Sequence, residues 1–279
     1  MICFGLNRHR AWVAGGILAA VLGAAPAYAA AGPARGAMRT VQVEGADISG
    51  NWAVENFVAF ARPTEDKRMK TMEGQPVPFQ EWSGKLYEDR LQADKNGAAF
   101  PYTAARCLPG GLPQMMYTPF QFQITQSPGQ VTLLMEEQHL WRQILLKEPH
   151  DPDPLPGYHG DSTGRWEGDT LVVDTIGLND KTTIDFMGLP HTEALHVVER
   201  MRLLNPNQLE IIFTFEDPTV FTRPWSLRKT YKRQDGTARL SEYICLDGQL
   251  NDVDPVTGHS TFPGAGSVPG GAAAKIAPN

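Results

Sequence analysis

The feature that most constrains this chain is its punctuation. Short runs of alternating apolar and polar residues are cut at regular intervals by tight-turn residues. Phe120 to Gln126 alternates, Ser127-Pro128-Gly129 turns the chain, and Val131 to Glu137 alternates again. Leu140 to Leu146 is another strand-like run, closed by Glu148-Pro149. Arg165-Trp166 and Thr170 to Ile176 flank Glu167-Gly168-Asp169, and Leu195 to Leu204 and Leu209 to Phe215 flank Asn205-Pro206-Asn207. Trp225 to Tyr231 and Thr237 to Cys245 flank Asp235-Gly236. Strand–turn–strand units at this spacing predict a mainly β protein, an antiparallel meander closed into a barrel, with a β-sandwich as the alternative. One segment departs from the rule. Val77 to Ala93 carries Phe79, Trp82, Leu86 and Leu91 on one helical face, which predicts a single helix packed on the barrel.

The ends of the chain read differently. Arg8 and Arg10 precede an apolar run from Ala11 to about Ala25, and Ala27-Tyr28-Ala29 supplies the small residues a signal peptidase reads, so residues 1–29 are expected to be a signal peptide. The run is shorter and richer in Ala and Gly than the roughly 20 strongly apolar residues of a membrane span. Residues 30–46 then form a flexible lead-in, 47–262 the β domain, and 263–279, rich in Gly, Ala and Pro, a disordered tail. The expected location is periplasmic or secreted, with no membrane insertion after cleavage. The mature chain keeps 23 basic against 31 acidic side chains, a net −8, which argues against nucleic acid as a partner. Past the leader two cysteines remain, Cys107 and Cys245; an oxidising compartment favours a bridge between them, and two buried thiols are the alternative.

Gly164-Arg165-Trp166-Glu167-Gly168-Asp169-Thr170-Leu171-Val172-Val173-Asp174-Thr175, Pro190-His191-Thr192-Glu193-Ala194-Leu195-His196-Val197-Val198-Glu199-Arg200, Glu216-Asp217-Pro218 and Ser49-Gly50-Asn51-Trp52 together resemble a large family of exported bacterial proteins with no settled activity. The resemblance covers nearly all of the mature domain and implies export and a β fold, not a reaction. Gly50-Asn51-Trp52 is also similar to the start of lipocalin-type (calycin) barrels, in which a Trp closes one barrel end beneath a basic side chain.

Charge set inside apolar alternation marks the candidate chemistry. Val131, Leu133 and Met135 lead in phase into Glu137; Val172, Asp174 and Ile176 share a face; Leu195, Val197, Met201 and Leu203 enclose Glu199; and Arg142 is in phase with Ile144 and Leu146. A lone carboxylate on an apolar face is costly unless paired or protonated. Two outcomes follow: a structural salt-bridge network, or a pocket in which burial keeps one carboxylate protonated while Arg142 keeps another ionised. On the second, His191 or His196 is the proton shuttle, Asp174 and Glu199 orient or accept protons, Arg142 stabilises an oxyanion, and Glu137, Trp166 and Tyr158 contact the substrate. The expected activity is a cofactor-independent isomerase, lyase or hydratase acting on a small apolar or aromatic molecule. The rivals are a non-catalytic carrier of such molecules and a metal enzyme built on His191, Glu193 and His196. Gly160-Asp161-Ser162-Thr163-Gly164 fits a serine-hydrolase pattern but lacks the strand-to-helix turn that chemistry needs. The basic run Arg223, Arg228, Lys229, Lys232 and Arg233 reads as a solvated strand face. No nucleotide fingerprint is present, so no cofactor is expected. Nothing in the sequence sets the oligomeric state.

Overall fold

The computed structural model describes residues 43–55, 68–98 and 107–243. Nine strands close into a barrel in chain order. They are β1 (Gly50–Val54), β2 (Phe122–Ser127), β3 (Gln130–Met135), β4 (Trp141–Leu146), β5 (Asp161–Glu167), β6 (Thr170–Ile176), β7 (His196–Asn205), β8 (Gln208–Glu216) and β9 (Trp225–Arg233). The expected barrel is therefore the fold, and the sandwich is not.

One pairing breaks the antiparallel rule. β4 and β5 run parallel and meet only at Leu145–Thr163 and Leu146–Gly164. A parallel pair cannot be joined by a hairpin. The Pro-rich stretch after Leu146 is accordingly a crossover on the outside of the wall, and the first halves of β4 and β5 stand apart. The strand expected over Thr237 to Cys245 does not extend the sheet. Asp235 caps its turn, accepting from Thr237 N at 2.9 Å, but β9 already pairs with both β8 and β1. With both sides of β9 taken, no edge is left there for a tenth strand, and among the described residues of that run Tyr243 alone makes a bridge, to Glu137. Cys245, the expected signal peptide and the expected C-terminal tail lie outside the described residues.

The first strand behaves as its lipocalin-like opening implies. Trp52 is fully buried, donates from Nε1 to Ile48 O at 3.1 Å, and lies under the Arg233 guanidinium, 4.2 Å from its ring centre. Arg233 donates onward to Pro206 O at 2.7 Å. A Cβ on residue 50 would stand 2.2 Å from Arg233 Nη1, and the φ of +136° there suits glycine alone. So Arg233 is not part of a solvated face. Lys229 is not either, since its Nζ sits over the Tyr117 ring at 5.2 Å.

The helix, α1, spans Glu81–Lys95, and its buried face is Ser83, Tyr87 and Leu91. Of the expected face, Leu91 is buried and Phe79 packs on the core, but Trp82 is 48 % exposed, and Ser83 and Tyr87 take the inner positions. Hydrophobicity misplaced it because the inner face is fixed by polar partners. Ser83 Oγ donates to Val220 O at 2.6 Å, and Tyr87 OH donates to the buried Asp185 at 2.5 Å.

The barrel interior is filled by the chain's own side chains. Trp52, Phe122, Leu133, Val197, Phe213 and Tyr231 are at 0–2 % exposure. A 3-10 turn at Gln114–Tyr117 reaches in among them. Tyr231 OH donates to Met116 O at 2.8 Å, and Tyr117 meets Phe213 edge-on at 5.4 Å.

Candidate functional site

The strand directions put Trp52 and Arg233 at one end of the barrel. The opposite end receives the last residues of β3, the first of β4 and β5, the last of β6 and the first of β7. Glu137, Arg142, Ser162, Asp174, Thr175, His196 and Glu199 all come from this end. Trp166 does not. It lies at the far end, where its ring covers Gly45 so closely that a Cβ there would be 2.0 Å from it. Tyr158 lies in the crossover, and its carbonyl holds Leu112 N at 2.8 Å.

On the inner face of the wall, β4, β5, β6 and β7 each contribute one polar side chain to a single cluster. Arg142 Nη1 donates to Glu199 Oε1 at 3.0 Å, and Nη2 donates to Glu199 Oε2. Nη2 also reaches Thr175 Oγ1 at 2.9 Å, and Nε donates to Ser162 Oγ at 3.1 Å. The two ionic side chains are 1 % and 0 % exposed. Both carboxylate oxygens and all three guanidinium nitrogens are thus engaged. That matches the structural network among the two outcomes, since four of the five guanidinium N–H groups are used within the cluster. Ser162 sits on a strand and takes part in this cluster, which leaves it no nucleophile geometry.

Asp174 does not join Glu199. The β6–β7 register sets Val173 opposite Glu199 and Asp174 opposite Val198, so the two carboxylates occupy opposite faces of the wall. A shift of one residue reverses the face. Val172, on the same outer face, is 2 % exposed; it stands between Arg165 and Arg200 on the flanking strands, which Glu167 ties together, so apolar alternation there does not report the barrel core. Outside, Asp174 Oδ1 accepts from His150 Nε2 at 2.9 Å and from His196 Nε2 at 3.0 Å. Burial pushes the Asp174 carboxyl up, but the two histidine bonds more than offset this and hold it below the ordinary range. His150 came with no sequence signal, being a lone histidine in a Pro-rich connection.

His191 is buried within the loop before β7. Its Nε2 meets Thr182 Oγ1 at 2.8 Å and its Nδ1 meets Thr192 O at 3.1 Å. Burial lowers its pKa. With both nitrogens engaged it is a structural histidine rather than a shuttle. Thr192 N donates to Asp217 at 2.7 Å, which shapes a turn that leaves Glu193 exposed. His191, Glu193 and His196 are therefore not brought together, and among the described residues no three His, Cys, Asp or Glu side chains are placed to hold a metal.

Glu137 is 8 % exposed, and its carboxyl group has no hydrogen-bond or ion-pair partner among the described residues. Burial raises its pKa to about 7, so it is the carboxyl group expected to be held near neutrality. It is carried by a turn in which Gln138 and His139 both take left-handed φ, 56° and 51°. Each costs a non-glycine residue of order 1–3 kcal/mol, a strain found most often at functional sites.

Where β4 and β5 part, the wall opens into a groove of about 510 Å³, lined among others by Leu140, Trp141, Arg142, His159, Asp161 and Ser162. Pockets of this size hold small molecules. Trp141 at its rim is 61 % exposed. The other landmark is His159, in which burial and then the Arg142 charge lower the pKa to about 4. Nε2 is buried with no hydrogen-bond partner among the described residues.

No family model and no curated protein matches this chain. Among solved structures, a crystal structure of a mutant of the fluorescent protein UnaG is similar at 13 % identity and a TM-score of 0.30, covering 67 % of this chain and 96 % of that one.

Proposed function

We propose that this protein, working after export, binds a small apolar or aromatic molecule bearing a hydrogen-bond donor in the groove between β4 and β5. The observation that carries the reading is the composition of that one groove. It runs from an exposed indole, Trp141, to a floor with an unmet ring nitrogen, His159 Nε2. An aromatic rim over a few polar groups suits an amphipathic small molecule. Meeting Nε2 requires the His159 ring to turn slightly outward, which a ligand donor compensates by satisfying it. A pKa of about 4 makes His159 a hydrogen-bond acceptor and a poor general base at neutral pH, since bases work best with a pKa near the operating pH. Binding, with the filled barrel as a rigid scaffold, is therefore favoured over proton transfer at this histidine. Native mass spectrometry of protein purified from its own source should find one organic molecule per chain, and Trp141→Ala and His159→Phe should each lose it. Equal retention by both variants would overturn the reading.

Glu137 favours a second reading, cofactor-independent acid–base catalysis of the isomerase, lyase or hydratase kind. A partly protonated, unpartnered carboxyl at neutral pH is what such a step needs. In that case Glu137→Gln abolishes turnover of the bound molecule and leaves its binding intact.

A further inference from the structure

One side chain, that of His150, ties the near part of the crossover between β4 and β5 to two strands of the outer wall. His150 stands between two carboxylates: Nδ1 is 2.8 Å from Asp161 Oδ2 and Nε2 is 2.9 Å from Asp174 Oδ1. Next to it, Asp151 N donates to the same Asp161 oxygen at 3.0 Å. The remote part of the crossover is tied separately, by backbone bonds from Gly157 N to Gly177 O at 2.9 Å and from Asn179 N to Gly157 O at 2.8 Å. The crossover then leads directly into His159, Gly160 and Asp161, which line the groove.

Ionised carboxylates only accept hydrogen bonds, whereas a neutral imidazole has one donor and one acceptor nitrogen. Facing two carboxylates, His150 can satisfy both only as the imidazolium. We propose that His150 is a proton-controlled pin: protonated, it ties the crossover to Asp161 and Asp174, and on losing its proton it releases the crossover and loosens the groove wall it leads into.

The surroundings support this. From β5, Asp161 and Thr163 face His150, the latter with Oγ1 at 3.4 Å from Nε2. From β6 comes Asp174, and from β7 comes His196, which shares the Asp174 oxygen. From β8, Glu216 lies behind His196 at 3.8 Å, and Asp151 is the neighbouring charge on the crossover itself. Carboxylates outnumber the cations around His150. Burial alone lowers its pKa, but the bonds to Asp174 and Asp161 more than offset burial, and the net direction is upward. The pin is therefore set at mildly acidic pH and released as pH rises. Its consequence for ligand access rests on the groove reading above; the pin itself does not.

The test is amide hydrogen exchange on the ligand-free protein across pH, with each rate divided by the intrinsic rate at that pH. Protection of residues 148–156 should fall by roughly tenfold, the scale of a charge-assisted hydrogen bond, with a midpoint above the ordinary histidine value of about 6.5. His150→Gln should remain at the low-protection level at every pH. Asp161→Asn, which keeps the histidine and one carboxylate, should lower the midpoint. A transition unchanged in His150→Gln, or none in the wild type, overturns the proposal. If protection follows the prediction while binding of the molecule carried by the purified protein is independent of pH, the pin stands and its consequence for ligand access falls; loss of the groove reading itself is read from equal retention by Trp141→Ala and His159→Phe.

Discussion

The two faces of one stretch of wall carry nearly the same chemistry under different conditions. Inside, Arg142 and Glu199 face one another with 1 % and 0 % of their side chains exposed. Outside, one residue out of phase, His150, Asp174 and His196 are 23–33 % exposed. In the dry interior each charge needs its partner, and the fold supplies Ser162 and Thr175 to complete the set. At the outer surface water stands in for a lost partner, so the bonds are individually weak and free to respond to pH. The comparison separates groups that build the barrel from groups that can change state while it remains folded.

The sharpest way to break the contrast is to remove one interior partner. Glu199→Ala leaves a buried guanidinium unpaired and should destabilise the protein by about 3–5 kcal/mol in urea unfolding. The double replacement Arg142→Met, Glu199→Leu should regain most of that loss. A loss below about 1 kcal/mol for Glu199→Ala would mean the cluster is wet and the contrast false.

Glu137 tests the same boundary through pH. Its folded pKa of about 7 lies above the 4.5 of the free group. Between those values the native state holds a proton that the unfolded chain has lost, so stability is full below 4.5 and falls as pH rises through the folded value. The whole decline should be about 3 kcal/mol, from the shift and about 1.4 kcal/mol per unit. Glu137→Gln should flatten that part of the stability curve and leave the protein more stable at pH 8. An unchanged slope would place the carboxyl in water.

The smallest effect is expected outside. Asp174→Asn should cost about 0–1 kcal/mol near neutrality, as exposed pairs do. Since the Asp174 carboxyl is held below its ordinary range, its contribution is present above the unfolded pKa and is lost as pH falls through the folded one. Wild type and variant should therefore converge in acid. A cost similar to that of Glu199→Ala would show that the outer cluster is structural too.

The sequence led correctly to the buried pair and wrongly to its company. Alternation on β4 and β7 marked Arg142 and Glu199 as inward, because a strand's two-residue period is local. The same alternation on β6 marked Asp174 as a core carboxylate, because Val172 is buried on the outer face, between Arg165 and Arg200 of the flanking strands. His191, Glu193 and His196 looked convergent by proximity in sequence, but a turn bonded to Asp217 separates them. His150 and His159 carried no pattern at all. Both lie in a connection whose path exists only because β4 and β5 run parallel.

What the sequence by itself determined is what depends on neighbours along the chain. That includes the strands and their turns, the glycine and tryptophan that open β1, and the inward phase of Arg142 and Glu199. Tertiary structure alone decided which polar groups meet. Partner choice depends on strand order, on register to the single residue, and on the crossover that spreads β4 from β5. Those are properties of the closed barrel as a whole, since a one-residue change of register exchanges its inside for its outside.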